Sequence, residues 1–144
     1  MQRGMILRVI FFFVIALLML AELFMSNLGT LLGDVTGTAA MMGISPEAER
    51  MRLFVLIALD AVAGFGALFA AIGLLRKNAR WQRNGALATA VGLVLYGVYQ
   101  FFSALFQLND SVRIPVMVVG VVYALIGVAA WWLGARVPAA TSRK

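Results

Sequence analysis

Long apolar runs alternate with short polar ones along this chain. The stretch "LFVLIALDAVAGFGALFAAIGLL" at 53–75 carries one charged side chain, Asp60. Four runs of this kind occur, at 6–25, 52–75, 86–107 and 115–135. A helix needs about 20 mostly apolar residues to cross roughly 30 Å of hydrocarbon, and each run meets that length. The pattern predicts an all-α polytopic membrane protein. It is read as one membrane domain over 1–144, an antiparallel bundle of four transmembrane helices. The first run opens on Arg3 and Arg8, as a signal peptide would. Its apolar stretch is too long for the hydrophobic region of a leader, and "LMLAELFMS" offers no clean small-x-small cleavage site, so it is read as an uncleaved span.

The polar segments set the connections. Those at 76–85 and 107–114 are short, which makes consecutive helices antiparallel neighbours. The loop at 26–51 is longer and opens "SNLGTLLGDVTGTAAMMGI", semi-apolar with four glycines. It is too broken to span. It lies in the interface, folds back as a lid over the bundle mouth, or is a loose connection. It leads into "SPEAER", a helix start: Ser45 suits an N-cap, Pro46 the first helical position, and Glu47 and Glu49 the positive end of the helix dipole. The second helix is therefore expected to start near Pro46. The triplet "NDS" at 109–111 matches a glycosylation acceptor but abuts the membrane.

Composition agrees with the pattern. Apolar residues make up 63% of the chain, against about 45–50% in soluble domains. A chain of 144 residues leaves too large a share of its surface outside to hide that much in a core. There is no cysteine and no histidine. That excludes a disulfide framework, a CxxC redox pair, a thiolate metal site and histidine-ligated haem.

The charge of +6 would suggest nucleic acid in a soluble protein. Its distribution indicates otherwise. Arg3, Arg8, Arg76, Lys77, Arg80, Arg83, Arg136, Arg143 and Lys144 fall on one side with no acid among them. The other side holds Arg50, Arg52 and Arg113 against Asp34, Glu47, Glu49 and Asp110. By the positive-inside rule the first side is cytoplasmic, with both termini. An even number of spans requires the same. The expected location is a bacterial inner (plasma) membrane. The expected partners are the lipid bilayer and either another membrane subunit or a second copy in a homodimer, with no nucleic acid.

Small residues recur at sevens: Gly66 and Gly73, Gly85 and Gly92, then Gly120, Gly127 and Gly134. That spacing keeps them on one seam of a left-handed bundle, where close backbone approach supplies packing. Trp131 and Trp132 near one membrane edge and Trp81 in the basic segment fit an aromatic belt.

The polar residues inside the spans are the candidate chemistry. Asp60 lies eight residues beyond Arg52, hence roughly 12 Å deep. Its neighbours Ala63, Gly64, Ala67 and Ala71 are small and place it on a packing face. A charged acid at that depth costs at least ~2.5 kcal/mol. With no basic residue inside any span beyond its extreme ends, a neutral, hydrogen-bonded acid is the least costly form. Thr89, Tyr96, Gln100, Ser103 and Gln107 form a stripe on one side of the third span. Tyr123 falls between Gly120 and Gly127. Asp60, Gln100 and Tyr123 then share a level, and Gln100 and Tyr123 are the expected partners of Asp60. Glu22 is shallower, joining the cluster or reaching the headgroups. The candidate polar pocket is Asp60, Gln100, Tyr123, Tyr96, Ser103 and Glu22. The alternative for all of them is that buried polar groups simply join helices, each worth roughly 0.6 kcal/mol.

Four short spans, a long first external loop and cytoplasmic termini resemble the layout of the DoxX-like group of small bacterial membrane proteins. The resemblance covers most of the chain, rests on layout alone and assigns no residue a role. The small multidrug transporters also have four spans, but their acid lies mid-span, where Glu22 does not. The first functional expectation is a non-enzymatic accessory or scaffold subunit, with no catalytic residues, cofactor or metal. The alternative is a small proton-linked transporter, or a binder of lipid or a small molecule, using the buried acid.

Overall fold

The computed structural model describes residues 3–135, and the basic tail at Arg136, Arg143 and Lys144 lies outside them. The described residues are helical nearly throughout: α1 Arg3–Ala21, a π-helical turn Glu22–Asn27, α2 Leu28–Leu32, α3 Val35–Met42, α4 Pro46–Leu75, α5 Ala79–Phe106 and α6 Asp110–Ala135. Four continuous helical stretches are long and apolar enough to cross a membrane: Arg3–Leu32, Pro46–Leu75, Ala79–Phe106 and Asp110–Gly134.

Three boundaries differ from the sequence expectation. The first span does not stop near residue 25. It continues through the π turn to Leu32, with Glu22 and Asn27 turned inward while Ser26 stays exposed. The basic segment is mostly helix, and α5 starts at Ala79. The Asn78 side chain caps it, accepting from the Trp81 amide at 3.1 Å, and only Arg76, Lys77 and Asn78 make the turn. Lys77 takes the left-handed conformation that ends α4, φ 53°, and the Asn78 amide donates to the Gly73 carbonyl at 2.8 Å. The last span starts at Asp110, which leaves Pro115 within the helix rather than at its start. Pro115 has no amide to offer the carbonyl one turn back.

The start of α4 follows the sequence expectation. Ser45 Oγ accepts from the Ala48 amide at 3.2 Å, with Pro46 in the first turn. The loop at 26–51 is ordered. Asp34 caps α3 by accepting from Gly37. Gly43 closes α3 with φ 76°, in contact range of Asn109. The Asn109 side chain donates to Met41 O at 2.9 Å and its amide to Met42 O at 3.0 Å. Val35 and Ala39 are buried, and α3 packs on α4. The segment thus folds back over this end of the bundle, tied to the α5–α6 connection. The Asn109 side-chain amide, the nitrogen of the "NDS" triplet, is engaged in that tie.

α4 packs against both α1 and α5, and α5 packs against α6. The glycines mark the two seams of α5. A Cβ on Gly66 or Gly92 would press on the backbone of α5 or α4, and one on Gly120 or Gly127 on the backbone of α5. Gly97, absent from the sevenfold pattern, meets Gly120 and Ala124. The apolar core includes Phe12, Met19, Ala63, Ala67, Ala70, Ala71, Leu74, Ala86, Ala90, Leu93 and Ala130, which belong to the half of the bundle nearest the α4–α5 turn.

Candidate functional site

The site sits in the opposite half, beneath α3. It starts from the π turn. In an α-helix, residues five apart point about 140° away from each other. The wider turn at 22–27 closes i to i+5 hydrogen bonds and brings Glu22 and Asn27 toward one side. Both then reach into the bundle. Such turns recur at functional sites.

Glu22 is half-buried and each of its carboxylate oxygens accepts from a tyrosine. Tyr96 from α5 donates to Oε1, and Tyr123 from α6 donates to Oε2 at 2.6 Å. The two rings meet edge to face with centroids 4.8 Å apart. One carboxylate therefore ties α1, α5 and α6. Asp60 lies deeper, with no exposed surface, and its Oδ2 accepts from Asn27 Nδ2 at 2.6 Å. Its Oδ1 is buried with no hydrogen-bond partner. Glu22 and Asn27 belong to the same π turn, and the bond from Asn27 to Asp60 sets the two carboxyls in one region.

A second set of bonds extends the cluster toward α3. Gln100 donates from Nε2 to Tyr96 Oη at 3.3 Å and accepts on Oε1 from Arg52 Nη1 at 3.2 Å. Arg52 closes a two-pronged ion pair on Glu49, Nε to Oε2 at 2.7 Å and Nη2 to Oε1 at 2.9 Å. Both partners are buried, Glu49 completely. The polar path runs unbroken from Glu49 through Arg52, Gln100 and Tyr96 to Glu22 and Tyr123.

The structure brings Asp60, Gln100, Tyr123, Tyr96 and Glu22 to one region, but with different partners than the sequence reading gave. Asp60 bonds Asn27, not Gln100 or Tyr123. Tyr123 serves Glu22, so of the two alternatives for Glu22 the structure has it joining the cluster, as its hub. Ser103 is buried one turn beyond Gln100. Thr89 stands apart, donating to Gly85 O at 2.8 Å, and Gln107 is exposed past the end of α5. Arg52, the expected outer end of the second span, lies inside the helix because α4 starts at Pro46, and it turns inward to meet Glu49. Sequence reasoning missed Asn27, Glu49 and Arg52 as cluster members. The available signals were the three-residue spacing of Glu49 and Arg52 on one helical face and the five-residue spacing of Glu22 and Asn27.

Among the described residues, no group of three or more His, Cys, Asp or Glu side chains is arranged to hold a metal ion. What the arrangement can do is hold and exchange charge: one carboxylate fixed by two phenols, and a second with an open oxygen close by. Fold and site together define a small multi-pass helical membrane protein with a buried polar cluster. Compared with protein-family models, with curated proteins and with solved structures, the chain matches none.

Proposed function

We propose that this is a non-catalytic bacterial inner-membrane protein, both termini cytoplasmic, that binds a small cation or amine in exchange for a proton at the Glu22 and Asp60 carboxyls. The observation that carries the reading is Asp60 Oδ1, fully buried and without a partner beside a second carboxylate. Natural proteins rarely leave such an atom orphaned unless a ligand, water or proton completes it. Ionisable residues inside spans almost always face the bundle interior, and each is by default a candidate functional site. Glu22, with both oxygens occupied, positions the region's negative charge, and Asp60 supplies the open oxygen. On this reading a solute would reach Asp60 past the half-buried Glu22 and Tyr123, which bridge α1 and α6. The basic segment at 76–85 supports the orientation.

The test is proton counterflux in proteoliposomes loaded with a pH dye and challenged with small cations and amines. Wild type should move protons on addition of a suitable cation. Asp60→Asn should abolish the flux with folding intact, since the amide keeps the shape and the bond from Asn27. Flux that survives Asp60→Asn sinks the proposal. The accessory-subunit reading makes the opposite forecast: no flux from wild type, Asp60→Asn nearly silent, and a different, larger subunit retained on gentle extraction.

A further inference from the structure

A second feature lies at the basic end, away from the carboxyl cluster. A groove of about 580 Å³ runs along one flank of the α4–α5 contact. Gly66 and Gly85 lie where the two backbones touch. Val62, Phe65 and Phe69 of α4, all substantially exposed, and Ala88 of α5 are the apolar lining. The α4 members lie along seven helical rises, a length of roughly 10 Å. Arg80, Trp81 and Asn84 form the polar end of the same groove, contributed by the first turns of α5. Trp81 stands edge-on to Phe69 with centroids 5.7 Å apart, and the Arg76 guanidinium lies 5.9 Å from the Trp81 ring centre.

The apolar trough therefore ends in two guanidinium groups, an amide and an indole. No acidic residue occurs anywhere in 76–85. Arginine forks match phosphate oxygens. Basic pockets between transmembrane helices on the cytoplasmic side take anionic headgroups. A second copy suits this surface poorly. A two-fold interface sets a patch against itself and would bring Arg76 and Arg80 of both chains together.

We propose that this groove is a specific site for an anionic phospholipid of the leaflet that meets the α4–α5 turn. One acyl chain lies along Val62, Phe65 and Phe69, and the phosphate is held by Arg80 and Asn84, with Arg76 adding charge beside Trp81. Ordinary boundary lipid would share the trough but not the preference for charge.

The experiment uses Trp81 as reporter. The chain has three tryptophans, so Trp131→Phe and Trp132→Phe leave Trp81 as the sole indole. This protein is placed in phosphatidylcholine bilayers doped with chain-brominated phosphatidylglycerol or chain-brominated phosphatidylcholine at equal mole fraction. Brominated phosphatidylglycerol should quench Trp81 at lower mole fraction, with an about fivefold preference for each arginine engaged. Arg80→Gln, at an exposed position, should remove about one such factor. Ala88→Leu, which narrows the trough without touching the charge, should weaken quenching by both lipids. Equal quenching by the two lipids would mean boundary lipid only and overturn the proposal. So would quenching that appears only on dilution of the protein in lipid, which would mean that a second copy covers the groove.

Discussion

Nearest the α4–α5 turn, helices meet through Ala63, Ala70, Ala86, Ala90 and the glycines between them, and backbones lie in direct contact. In the half beneath α3, the helices are held by Glu22, Asn27, Arg52, Asp60, Tyr96, Gln100 and Tyr123, with hydrogen bonds reaching across from α1 to α6. The small-residue half uses the cheapest packing available in lipid, where no hydrophobic force draws helices together. The polar half places charged and amide groups where desolvation works against them. If helix association were all that mattered, the first solution would serve along the whole length. The contrast points to the polar half as the part kept for something other than packing, and substitutions in both halves probe it.

The largest effect is expected at the buried ion pair. Arg52→Leu leaves Glu49 inside without its partner and should destabilise the protein by about 3–5 kcal/mol. The double variant Glu49→Leu/Arg52→Leu should recover most of that, because an apolar pair fills the same space without a stranded charge. Thermal unfolding in detergent, run as a double-mutant cycle, measures both. A double variant as unstable as the single one would show that Arg52 acts through Gln100 and not through Glu49.

Next comes the small-residue half. Gly85→Val places side-chain atoms against the backbone of Ala70 and Gly66, and overpacking of this kind costs about 1–3 kcal/mol. Gly4→Ala is the control, since a Cβ there meets nothing within 4 Å. The same unfolding assay should show a clear loss for the first and none for the second. Equal tolerance would mean that the glycine seams are not what holds α4 to α5, and the contrast between the halves would lose its basis.

The glycine seams were legible in the sequence because sevenfold spacing is a geometric statement about one helix face, independent of its neighbours. The four spans were legible because length and hydropathy dictate them. The polar site was legible in Asp60, Tyr96, Gln100, Ser103 and Tyr123, whose spacing fits regular helices, and illegible in Asn27, Glu49, Arg52 and the wiring. Depth and the small-residue packing faces match Asp60 to Gln100 and Tyr123. Its actual partner, Asn27, lay past the assumed end of the first span, and only the π turn turns that residue inward. No propensity marks such a turn. Glu49 was assigned to the helix dipole because position in the first turn suffices to explain an acid there. Its inward face depends on Arg52 turning with it. α3 carried its own signals, Asp34 as cap and Gly43 as stop, but in a glycine-rich segment they looked like loop.

The smallest expected effect separates the inner and outer members of the cluster. Tyr123→Phe deletes one hydroxyl, half-buried, that donates a single bond to Glu22 at 2.6 Å. The ring and its edge contact with Tyr96 remain. Side-chain hydrogen bonds inside membranes average roughly 0.6 kcal/mol and reach about 1.7 kcal/mol, and this one should fall near the average. Tyr96→Phe should cost more, because the fully buried Tyr96 hydroxyl both donates to Glu22 and accepts from Gln100. Its loss leaves two buried groups short of a partner instead of one. The ordering is the informative result. If Tyr123→Phe destabilises as much as Tyr96→Phe, the α1–α6 bridge is a structural clasp. If it stays near the average while proton counterflux falls, the bridge is the entrance to Asp60 rather than a fastening.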